Sequence, residues 1–146
     1  MMGTYNNILL AVDLHPSYDE YTIKKAVDFA KERNAKLTLL HCIEGIHAYG
    51  AVQGYQLIME VEQQIEQEAK KALADLGKTY GIAPENQMLV QGPPQKVVIE
   101  KAKAMKADLI IVGGHGRHGI SLLFGSTADG IMHHAQCDVL AIRAKS

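Results

Sequence analysis

Five short apolar runs punctuate this chain, and between them the apolar residues change to helical spacing. The runs are NILLAV (Asn7 to Val12), LTLLHCI (Leu37 to Ile43), QMLVQG (Gln87 to Gly92), DLIIVG (Asp108 to Gly113) and CDVLAIR (Cys137 to Arg143). Continuous apolar runs, not alternating ones, suit strands covered on both faces. Between them, Ile23, Ala26, Val27 and Ala30 fall on one side of a helix. Ile58, Val61, Ile65, Ala69, Ala72 and Leu76 stripe a second helix, expected from Tyr55 to Lys78. Val97, Val98, Ala102 and Met105 mark a third. Strands that alternate with helices must be joined by right-handed crossovers, which makes the sheet parallel. The expected fold is an open, doubly wound α/β domain with five strands and four helices.

Local signals place the element ends. Ser17 with Glu20 has capping-box spacing, and so has Ser126 with Asp129 at the start of the last helix. Pro93 and Pro94 suit a first helical turn, where a missing N–H costs nothing. Glu44 to Gly54 reads as a loop, placed where it could lid a ligand.

A length of 146 residues fits one domain with one core, residues 1–146. Fifteen basic against sixteen acidic residues leave a net charge of −1, without the basic excess of a nucleic-acid or anionic-membrane surface. No apolar stretch approaches the roughly 20 residues that span a bilayer, and MMGTYNNILLAVD lacks the basic start of a signal peptide. Cys42 and Cys137 lie far apart and read as buried thiols in a reducing cytoplasm.

In a doubly wound sheet, ligands bind beyond the carboxyl ends of the strands, where strand order reverses. That brings together Ala11-Val12-Asp13, His41-Cys42-Ile43 and GGHGRHGISLLFGST, Gly113 to Thr127. Gly114 to Gly119 matches G-x-G-x-x-G, but it follows the fourth run, not the first, so it is not a dinucleotide fingerprint. No Gly-Lys-Ser or Gly-Lys-Thr of a P-loop occurs. Anion chemistry still fits: Gly125-Ser126-Thr127 sits at a helix N-terminus, with unpaired N–H groups and two hydroxyls. Gly113 and Gly116 would let a ligand approach the backbone. The same residues also serve a plain turn and helix cap, and residue chemistry alone does not separate the two.

Other residues have blander readings beside the functional ones. Asp13 is either a ligand group at a strand end or a carboxylate capping its own loop. His115 and His118 lack the carboxylate or thiolate partner of a metal site. Arg117 reaches a phosphate or is solvated. His41 reads as a satisfied histidine near the core. Adjacent His133 and His134 point about 100° apart on a helix and suit its C-terminal dipole. No nucleophile elbow or carboxylate cluster for Mg²⁺ appears, which points to binding with slow or no turnover.

Val112 to Arg143 closely resembles the C-terminal signature of the universal stress protein family. Asn7 to Ser17 resembles its opening strand and loop, and Leu37 to Glu44 its second strand, in family order across the chain. The resemblance implies a parallel sheet ordered 3-2-1-4-5. It implies a homodimer paired through the last strand, Asp138 to Arg143, and an unknown protein partner. It also implies ATP, with or without Mg²⁺, as a regulatory ligand of a stress response. Asp13 would bond the ribose; Ala11, Val12 and Cys42 would line the adenine slot, with Val112 near the nucleoside. Gly113, Gly116, Gly125, Ser126 and Thr127 would hold the phosphates. Nucleotide-binding members place nine residues between Gly-x-x-Gly and Gly-Ser or Gly-Thr; here eight, Arg117 to Phe124, lie between them. The family also has members that bind no nucleotide and act as dimeric interaction modules. A third reading is a slow nucleotide hydrolase or phosphotransferase using Asp13 and the loop histidines.

Overall fold

The computed structural model describes residues 5–12, 20–43, 51–114 and 126–143. Five strands, β1 (Asn7–Ala11), β2 (Lys36–Ile43), β3 (Gln87–Gln91), β4 (Leu109–Gly114) and β5 (Asp138–Arg143), form one sheet in the order β3-β2-β1-β4-β5. Every neighbouring pair is parallel. Four helices connect them: α1 (Glu20–Glu32), α2 (Ala51–Tyr80), α3 (Pro94–Ala104) and α4 (Ser126–His134). The expected doubly wound fold and its strand order are both present.

The continuous apolar runs are explained by two cores, one on each face of the sheet. On one face Ile8, Leu10, Val12, Leu39 and Ile111 pack with Ile23, Ala26 and Val27 of α1 and Leu73 and Leu76 of α2. On the other, Leu9, Ala11, Leu40, Cys42, Ile110 and Val112 pack with Val97 and Val98 of α3 and Ile131 of α4. Alternate residues of one strand thus serve opposite cores, and the buried side chains of β1, β2 and β4 are apolar except for Thr38.

The ends of α1, α2 and α3 follow one device. After α1, Ala35 N–H bonds Ala30 O at 2.9 Å with Asn34 at φ 53°. After α2, Ile82 N–H bonds Gly77 O at 2.8 Å with Gly81 at φ 73°. After α3, Ala107 N–H bonds Ala102 O at 2.9 Å with Lys106 at φ 57°. Each left-handed residue turns the chain back so that late carbonyls find donors.

Boundaries differ from the sequence reading in informative ways. β1 ends at Ala11, yet Val12 N–H continues the ladder to Leu40 O at 2.8 Å. β4 starts one residue later than expected, because the Asp108 carboxylate accepts from Asn6 N–H at 2.8 Å and Asn7 N–H at 3.1 Å. Ser17 lies outside the described residues, as do 44–50 of the expected loop. Ala51 to Gly54, read as loop, belong to α2. The stripe of α2 is also only half buried. Ala69 and Leu76 are in the core, joined by Leu73, but Val61 is 37% and Ile65 36% exposed. A helix of 30 residues runs to about 45 Å. The eight-residue β2 and five-residue β3 beneath it extend about 26 Å and 17 Å. The sheet ends before the helix does.

Candidate functional site

The reversal of strand order falls between β1 and β4. Their register sets Ala11 beside Val112, and Ala11 also faces Leu40 of β2. The carboxyl ends of these strands therefore open together on one rim, where a doubly wound sheet takes its ligands. Ala11, Cys42 and Val112 share the α3/α4 face and are all buried. Val12 departs from its expected place with them. Its side chain belongs to the α1/α2 core, because it is one residue out of phase with Ala11. Only its main chain is available to the α3/α4 side.

Gly113 continues β4 opposite Ile142 of β5 and is buried. The space where its side chain would stand is filled by the Cγ2 methyl of Thr22, on α1. A packing need thus explains this glycine, whatever else it does. Thr22 was not singled out from sequence, and nothing local could have found it.

α4 begins at Ser126, so Ser126 and Thr127 lie in its first turn, whose N–H groups have no partner within the helix and so favour an anion. Asp129 lies beside His133 instead, with Oδ1 and Nε2 3.4 Å apart and both side chains exposed. His134 is exposed as well. Asp13, Gly116 and Gly125 lie outside the described residues, with His115, Arg117 and His118. Among the described residues no group of three His, Cys, Asp or Glu side chains could hold a metal ion.

His41 has a more definite role than its sequence suggested. It is half-buried on β2, and its Nδ1 lies 2.9 Å from the carbonyl oxygen of Val12. A carbonyl only accepts, so the ring nitrogen donates.

The opposite pole carries no member of this set. A cavity of about 420 Å³ opens there against Ala102, Ile110, Ala135 and Cys137. Cys137 is half-buried, not buried as expected. Burial, then the Asp138 and Asp108 carboxylates, push its thiol above the ordinary value. Cys42 is buried, and the two cysteines are not joined.

The model of the universal stress protein family matches residues 4–143. A universal stress protein A homolog of Coxiella burnetii is 41% identical over 144 residues, 99% of each chain. The solved universal stress protein UspA of Lactobacillus plantarum is 28% identical, with a TM-score of 0.77 over 95% of this chain and 98% of its own. A universal stress protein solved in complex with cAMP shares the fold at 22% identity and a TM-score of 0.59, over 97% and 98%. No described helix is long and apolar enough to cross a membrane.

Proposed function

Because the chain belongs to the universal stress protein family, we propose that it binds ATP as a regulatory ligand, with slow or no hydrolysis. The observation that carries this reading is the register of Ala11 with Val112 at the strand reversal, with α4 starting at Ser126 after β4. Ala11, Cys42 and Val112 offer a buried apolar wall to a base. Asp13 supplies a carboxylate for the ribose, and Gly113, Gly116, Gly125, Ser126 and Thr127 supply N–H and hydroxyl donors for phosphates. If Mg²⁺ accompanies the nucleotide, Asp13 supplies a carboxylate to meet it. The cAMP complex of a protein of this fold supports an adenine nucleotide as the class of ligand.

Occupancy alters function only if ATP prefers one of two states of the protein. The partner-facing assembly in this reading is a homodimer through β5. β5 is a sheet edge whose Val139, Leu140 and Ala141 are half-buried or exposed, an edge that pairing would cover.

A second reading is a nucleotide-free interaction module. It draws on the eight-residue spacing and on the packing of Gly113 against Thr22. Calorimetry on extensively dialysed protein decides, with ATP and cAMP as titrants, with and without Mg²⁺. The wild type is expected to bind ATP. Gly116→Val and Ser126→Ala/Thr127→Ala are expected to lose binding while staying folded. Absence of nucleotide binding by the wild type establishes the second reading.

A further inference from the structure

We propose that His41 is a positioning residue for the nucleotide site, holding the chain where it leaves β1 towards Asp13. The inference rests on the ATP reading above, and its geometry stands on the described residues. Val12 is gripped twice by β2. Its N–H donates to Leu40 O at 2.8 Å, and its carbonyl accepts from His41 Nδ1 at 2.9 Å.

The two bonds differ in kind. The first is an ordinary ladder bond, and it continues the β1–β2 pairing one residue past the end of β1. The second comes from a side chain, at the point where the backbone ladder has stopped. The Val12 carbonyl carbon is bonded to the nitrogen of Asp13, and a peptide is planar. Holding that oxygen fixes the plane, and so the direction in which the chain departs for Asp13. A carboxylate that must meet a ribose depends on that departure, because small misplacement of a binding group costs affinity steeply. His41 is suited to the task by its own anchorage. It lies inside β2, paired opposite Leu89 of β3, so its base is held by a neighbouring strand.

The bond dictates a tautomer. In neutral His41 the proton must sit on Nδ1, which leaves Nε2 as the acceptor. His41→Asn keeps a donor near the Nδ1 position, whereas His41→Leu keeps bulk without a donor.

The test combines NMR with calorimetry. Long-range ¹H–¹⁵N spectra of the wild type are expected to show neutral His41 protonated at Nδ1. Amide exchange at Val12 is expected to accelerate in His41→Leu and to stay near wild type in His41→Asn. ATP affinity is expected to fall about tenfold in His41→Leu, the worth of one hydrogen bond, and less than threefold in His41→Asn. A proton on Nε2, or His41→Asn behaving as His41→Leu, overturns the proposal. So does unchanged ATP affinity in His41→Leu. Should the wild type bind no ATP, the function reading fails by itself, and the tautomer and Val12 exchange still decide whether His41 holds the strand end.

Discussion

Gly113→Ala isolates the reason for one glycine. Gly113 is buried in β4, with no left-handed φ, so its backbone accepts an alanine. An ordinary strand interior would gain roughly 0.5–1 kcal/mol from that change. Here the new methyl would overlap Thr22 Cγ2, with Thr22 Cβ 3.4 Å and Ile142 O 3.5 Å away. Thr22 is only 6% exposed and β-branched, so it has little room to turn aside. Overpacking of this sort costs about 1–3 kcal/mol. The net expectation is a loss of about 1–2 kcal/mol. Thr22→Ser alone removes a buried methyl and costs about 0.8 kcal/mol. Together the two exchange one methyl for another in the same space. The double variant should come within about 0.5 kcal/mol of wild type, far from additive. Urea unfolding followed by circular dichroism gives these differences as midpoint shifts at constant slope. Gly113→Ala that is neutral or stabilising, or strict additivity, would refute the packing argument. An ATP titration of the double variant then shows what remains. Wild-type affinity would mean that Gly113 lacks a side chain for the sake of Thr22, not of a phosphate.

Gly77→Ala should also reverse the usual sign. Alanine in a helix normally gains about 1 kcal/mol over glycine. At Gly77 its Cβ would stand 2.8 Å from Ile82 O and overlap Gln87 Nε2, which donates to that same carbonyl at 2.9 Å. A lowered urea midpoint, by about 1–2 kcal/mol, is expected, and a raised one would contradict the contact. Cys137 supplies a pH test. Its thiol is raised by burial and by Asp138 and Asp108, so the fold favours the neutral form. That contribution is complete below the ordinary thiol pKa and is lost as pH rises through the raised one. Alkylation at Cys137, located by mass spectrometry, should follow a midpoint above that of a free thiol, with Cys42 protected. A midpoint at or below the free-thiol value would remove the argument.

What was legible in the sequence follows from what each residue depends on. β1 and β4 could be read because burial on both faces leaves no polar residue in Ile8 to Ala11 or Leu109 to Val112. The start of α2 could not, because its first turn holds no acidic residue and Gly54 suggested a break. Its exposed half was equally hidden, since periodicity reports a face and not the length of sheet available to cover it. Lys106 takes a left-handed turn that sequence normally assigns to glycine or asparagine. Gly113 was legible as a glycine at the end of the fourth strand, but its partner Thr22 lies on another element. His41 was legible as a satisfied histidine, while its acceptor depends on the β1–β2 register.

The strand order carries a consequence for how the protein is made. β1 pairs with β2 across a short stretch of chain, but its other neighbour, β4, lies roughly a hundred residues further on. Pairings so distant form late, because their closure entropy is met before their contacts repay it. The rim between Ala11 and Val112 is made by that late pairing. A chain emerging in synthesis can complete β3-β2-β1 and still have no crevice. On the proposed function, nucleotide would stabilise only chains in which β4 has already joined β1.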